Sequence, residues 1–309
     1  MPLIAQITNE SLFSAMAMGA IFACVAVWAN LVARRRRRQP VLPYQPRRPV
    51  PWGIADVVFV MLIYFTLPSL FFQTARGWFD IPIVANVQNA EAPSLDATHP
   101  LARVLLESHD ARIILLCVVL GVVITPITEE LLFRLLLQGW LEALERRVRK
   151  RFPLLKRLVA GILPVALVSL MFAALHYRIP EPSVDLSVIV FAIGALAVSS
   201  LLTIVLLVCW LKFAAGATLA DFGIVPKRLA TDVKLGLLAF LAILVPVYAL
   251  MLTTTKLLPK GTVADPIPLL LLAAVLGTLY YRTHRIVPAI VLHMAFNATG
   301  VILAILASC

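Results

Sequence analysis

The sequence predicts an all-α fold, a polytopic membrane helix bundle of about eight transmembrane helices of roughly 20 residues each. Three observations carry this. Of 309 residues, 61% are hydrophobic and 14% charged, whereas soluble domains are roughly half apolar and a quarter charged. Mean hydropathy is +0.95. The apolar residues lie in long runs separated by short polar stretches, the pattern of helices solvated by lipid. The basic residues cluster between alternate runs, as loops on one side of a membrane do. Topology therefore accounts for the net charge of +11. No nucleic-acid partner is expected, and membrane lipids are the partners that composition implies.

Taken in order, the runs give candidate spans at 12–33, 55–73, 111–140, 158–176, 187–211, 232–254, 267–281 and 286–307. The first lacks a small-residue cleavage site and is followed by Arg34–Arg38, so it reads as an anchor whose far end is cytoplasmic rather than a signal peptide. Residues 39–52, QPVLPYQPRRPVPW, hold five prolines and predict an extended linker along the inner surface. Residues 1–54 then form an N-terminal anchor and basic, proline-rich linker, and 55–309 a helical core. The segment 74–110 is the longest polar loop and falls on the opposite side. Strict alternation puts 146–151, 212–228 and 282–285 on the inner side, where their positive charge belongs. Cys24, Cys117, Cys209 and Cys309 stand singly, which indicates neither a disulfide framework nor a thiolate metal site. No internal repeat is evident.

Glu129 and Glu130 interrupt the apolar run 113–140, with Arg134 one turn further on. Ionised carboxylates in hydrocarbon are costly unless they face a cavity, a partner or a metal. Pro126 is expected to break or kink the preceding helix, and Thr128 to cap a new one whose first turn holds both acids. Glu130 and Arg134, at i and i+4, are expected to pair, leaving Glu129 free to act. His176 ends the run LVSLMFAALHY, with Phe172 one turn before it. Counting 17 residues from Glu129 down to the basic loop at 146 and 19 back up from 157, an antiparallel hairpin returns His176 to the depth of Glu129. His293 and Asn297, again i and i+4, share a face of the last span.

The three strings, Glu129-Glu130-x-x-x-Arg134, Phe172-x-x-x-His176 and His293-x-x-x-Asn297, resemble in type and order the motifs of the CAAX protease and bacteriocin-processing family of intramembrane proteases. That family includes type II CAAX prenyl endopeptidase and bacterial proteins of the abortive-infection type. The resemblance covers about 111–176 and 265–309. The 117 residues from His176 to His293 exceed the family's usual spacing, so 181–262 is expected to be an inserted or rearranged helix pair. Within it, DFGIVPKRLATDVKLGLLAFL is similar to a segment that often precedes the first motif in relatives.

The resemblance implies a peptide or protein substrate, free or membrane-anchored, and a bacterial inner-membrane location. It makes Glu129 the base that activates water, His176 its assistant, and His293 with Asn297 the oxyanion stabiliser, the three elements that peptide hydrolysis needs. In this reading no cofactor is required. Glu129, His176 and His293 would also suit one Zn²⁺ with an open water position. The chain has no H-E-x-x-H, G-x-S-x-G or G-x-G-D string. Two other classes stay open: a non-catalytic scaffold or chaperone with the same residues in structural hydrogen bonds, and a proton- or cation-coupled transporter, for which inverted repeats would be expected.

Overall fold

A computed structural model describes residues 2–42, 44–46, 48–79, 95–96, 100–152, 157–177, 181–182, 185–258 and 266–308. It is helical almost throughout. Helices α1 (Pro2–Arg36), α2 (Ile54–Phe79) and α3 (Pro100–Glu107) precede one continuous rod, Ala111–Arg151. The rod comprises α4 (Ala111–Val118), a π-helical stretch (Val119–Ile124), α5 (Thr125–Glu129), a second π-helical stretch (Glu130–Gln138) and α6 (Gly139–Arg151). Then follow α7 (Ile162–Leu175), α8 (Leu186–Phe213), α9 (Leu229–Leu257), α10 (Pro266–Thr283) and α11 (Ile286–Ser308). Two short segments, β1 (Leu95–Asp96) and β2 (Glu181–Pro182), pair antiparallel, tying the segment before α3 to the one after α7. The expected loop 74–110 is thus shorter, because α2 runs on to Phe79 and α3 occupies 100–107. The rest of that loop, 80–94 and 97–99, lies outside the described residues.

Among the described residues, seven helices are long and apolar enough to cross a membrane. The expected span at 158–176 is the exception, for α7 has 14 residues. At 1.5 Å per residue that is about 21 Å, short of a hydrocarbon core of about 30 Å. Its far end, at His176, therefore stops part-way through the bundle. The molecule is an integral multi-pass membrane protein.

Prolines inside spans create needs that neighbouring helices meet. Pro246, within α9, cannot donate to the carbonyl of Ala242 one turn earlier. Trp28 Nε1 of α1 donates to that oxygen at 2.9 Å, and Cys24 Sγ approaches it at 3.6 Å. In lipid an unpaired carbonyl is costly, so this proline fixes where α1 docks. Trp28→Phe should therefore lower stability by about 1 kcal/mol, read as an earlier unfolding midpoint in detergent. Pro126 acts alike inside the rod. Thr125 N donates to Leu120 O, five residues back, so in the same register Gly121 O would await the N–H that Pro126 lacks. Asn297 Nδ2 of α11 donates to that oxygen at 2.8 Å. The break expected at Pro126 is consequently absent and the helix continues through it. Thr128 is no N-cap: its hydroxyl donates to Ile124 O at 2.8 Å within the rod.

The described residues of the proline-rich linker beyond Arg36 form neither helix nor strand, and they are strapped to the core. Arg282 Nε donates to Leu42 O at 2.9 Å, Gln45 N donates to Arg282 O at 2.8 Å, and Tyr44 packs against Tyr281 and His284. Trp52, 1% exposed, donates to Leu136 O at 3.0 Å and so reaches the rod itself. Arg48 forms an ion pair with Asp221 at 2.6 Å. These contacts bring residues 42–52 together with the ends of α6, α10 and α11, and with 217–223, at one basic end of the bundle.

Burial opposes ionisation of Asp221, but hydrogen bonds from Arg48 and Thr218 outweigh it and hold the carboxyl down at about 2. The folded value lies below the unfolded one, near 4. The tether is therefore complete above that unfolded value and is lost as pH falls toward 2. Because Arg48 is largely exposed, water screens the pair and its contribution to stability is small. Wild type should unfold at a higher temperature than Asp221→Asn near neutral pH, and the gap should close progressively on acidification below about pH 5.

Candidate active site

The rod, α7 and α11 bring the three motifs together. Glu129 and Glu130 are 7% and 0% exposed. One oxygen of Glu129 lies 3.7 Å from His176 Nε2 and the other lies 3.7 Å from His293 Nε2. Glu130 Oε1 meets His293 Nδ1 at 2.9 Å, and its Oε2 lies 3.4 Å from Arg134 Nε. His176 Nδ1 sits 2.7 Å from Phe172 O, which only accepts, so Nδ1 carries the proton. His293 Nδ1 likewise faces a carboxylate. Both imidazoles thus turn Nε2 toward Glu129.

The hairpin count is met despite the shortness of α7. Its last turn ends where the rod's second π-helical stretch begins, with His176 at the C-cap and 32% of its side chain exposed. Phe172 is the hub. Its ring lies over His176 at 4.3 Å, edge-on to Phe133 at 5.3 Å and to His293 at 5.9 Å, and under the Arg134 guanidinium at 5.1 Å. Arg134 is 0% exposed, so its charge rests on Glu130 and this aromatic face.

Six of the seven motif residues, Glu129, Glu130, Arg134, Phe172, His176 and His293, form one contiguous cluster. Asn297 lies one turn beyond His293 with its amide on Gly121 O, the interaction that keeps the rod continuous ahead of the acids. A carboxylate with two imidazole nitrogens is a donor set that zinc accepts, yet among the described residues no three such groups converge in coordinating geometry.

Two features escaped the motif reading. Tyr64 of α2 is half-buried against the cluster that holds Phe133 and Phe172, and its hydroxyl lies within electrostatic reach of Glu129. No short-range pattern marks it, because the contact joins elements some 65 positions apart. The second is a buried polar chain at the basic end. Gln138 donates to Glu142 at 3.0 Å and to Gly277 O at 2.9 Å, Glu142 pairs with His284 at 3.0 Å, and His284 reaches Gln45 O. Asp232 pairs with Arg285 beside it. These groups register the strap, the rod and the α10–α11 turn, and thereby the depth of His293.

A buried acid pair facing two imidazoles thus sits inside a multi-pass helical bundle. A family model described as type II CAAX prenyl endopeptidase, Rce1-like, matches residues 111–299. The chain belongs to that family of CAAX proteases. No curated protein and no solved structure matches it.

Proposed function

We propose that the chain is an intramembrane endopeptidase that hydrolyses a peptide bond with a water activated by Glu129. One observation carries the reading: each oxygen of the Glu129 carboxylate faces an imidazole Nε2 at 3.7 Å. That separation is too long for a direct hydrogen bond, and a water bound beside each pair would bridge it.

In this mechanism Glu129 removes a proton from a water held against His176, and the water oxygen adds to the scissile carbonyl carbon. The carbonyl π electrons move to oxygen, and the Asn297 amide faces the resulting oxyanion, joined by His293 Nε2 once it carries the proton that Glu129 took. Asn297 spends one amide N–H on Gly121 O and keeps a second to donate. Collapse of the tetrahedral species breaks the C–N bond, and the proton taken by Glu129 passes to the departing nitrogen. Glu130 and Arg134 position His293 and do not touch substrate.

For Glu129, His176 and His293 to hold zinc they would have to move into coordinating geometry, and the ion would then supply Lewis-acid activation of the water. The substrate is a peptide or protein, membrane-anchored where the bond lies near the buried site, and the location is a bacterial inner membrane with the basic end cytoplasmic.

Chelation tests the glutamate form. Purified protein should cleave membrane-derived peptides undiminished after exhaustive treatment with chelator and hold far less than one equivalent of zinc. Activity lost to chelator and restored by added zinc would instead move Glu129 and both histidines into a coordination shell.

A further inference from the structure

Helix α2 brings to the site a side chain that no motif contains. Its foot is fixed at the basic end, where Trp52 donates to Leu136 O of the rod. From there Val57, Val60 and Tyr64, at i, i+3 and i+7, lie on the row that α2 turns toward the rod. Val57 and Val60 are 4% and 2% exposed, and Tyr64 packs half-buried against the same cluster, which holds Phe133 and Phe172. Glu129 stands seven residues up the rod from Leu136, about 10 Å, and Tyr64 ten residues up α2 from Ile54, about 15 Å. Helical side chains tilt toward their own N-terminus, so the Tyr64 ring leans back toward the basic end. The rod runs the other way, and the Glu129 carboxylate leans up to meet it. The Tyr64 hydroxyl takes no hydrogen-bond partner among the described residues and is not sealed in the packing.

We propose that the Tyr64 hydroxyl donates a hydrogen bond to the carbonyl oxygen of the scissile peptide bond and holds it as the oxyanion forms, an assignment that rests on the endopeptidase reading. The donors available at the site select this role. The Glu129 carboxylate only accepts, and His176 and His293 turn unprotonated Nε2 atoms toward it. Arg134 is fully buried against Glu130 and Phe172. Before the water loses its proton, the motif residues therefore offer the substrate one free donor, the second N–H of the Asn297 amide. An oxyanion in a low-dielectric site is stabilised by donors already aimed at it, and a single donor leaves much of the new charge unmet. The phenol is a neutral donor, so it adds no charge to the buried acid pair, and it comes from a helix other than those that carry the base and the imidazoles.

The test starts from cells carrying wild type, Glu129→Gln or Tyr64→Phe at equal protein levels, with new termini of membrane proteins counted in each. Termini that depend on Glu129 should fall at least tenfold in Tyr64→Phe, while its unfolding midpoint in detergent matches wild type, because only the hydroxyl is removed. Purified Tyr64→Phe should cleave a synthetic peptide spanning such a terminus with kcat down about 10²-fold and KM within about twofold, the signature of one lost oxyanion donor. Replacing the scissile carbonyl oxygen of that peptide by sulfur, a weak acceptor, should cost wild type at least tenfold more than it costs Tyr64→Phe. An unchanged kcat, a change confined to KM, equal sulfur penalties, or a midpoint lowered in step with activity would each overturn the assignment while leaving Glu129 as the base. No terminus that separates wild type from Glu129→Gln would overturn the endopeptidase reading, and this assignment with it.

Discussion

Arg134→Ala should destabilise the folded protein by about 3–5 kcal/mol, because it strands Glu130 as a buried charge whose remaining partner is His293. Arg134 and Glu130 are both 0% exposed, so water cannot compensate. The loss is read as a lower unfolding midpoint in detergent, with activity falling alongside as His293 loses its fixed acceptor. Combining Arg134→Ala with Glu130→Gln should recover part of the stability, since the stranded charge is then gone. A double variant less stable than the sum of its singles would show that the guanidinium acts through packing on Phe172 rather than through its charge.

Glu129→Gln has the opposite signature. The Glu129 carboxylate makes no direct side-chain hydrogen bond among the described residues, and the two imidazole Nε2 atoms that face it stand at 3.7 Å. Replacing it with the isosteric amide should leave the unfolding midpoint almost unchanged. Turnover should fall by about 10²–10⁴-fold, the contribution typical of a positioned base. Equal and mild effects of Glu129→Gln and Arg134→Ala would mean that neither carboxylate takes part in chemistry.

The crossing helices were legible because long apolar runs and charge clusters are local properties of a chain in lipid. So was the hairpin that returns His176 to Glu129, since helical rise converts residue counts into depth. The behaviour of Pro126 was not legible. The break it should cause is avoided by an amide from Asn297, 171 positions later in the chain. The same long-range logic hid the capture of the Ala242 carbonyl by Trp28 and the chain from Gln45 through His284 to Glu142. Proline supplied the local signal in the first two cases, and only the packing shows which side chain answers it. Thr128 was misassigned for a related reason. A threonine before two acids reads as a cap in water, but in an unbroken membrane helix its hydroxyl turns back to the preceding turn.

The central claim, that Glu129 activates the hydrolytic water, is tested most directly by comparing the membrane peptides of cells carrying wild type with those carrying Glu129→Gln at equal protein levels. The account predicts at least one membrane protein that accumulates uncleaved in the Glu129→Gln cells, with a new terminus found only beside wild type. Indistinguishable termini and abundances in the two membranes, with both proteins folded and present, would contradict it.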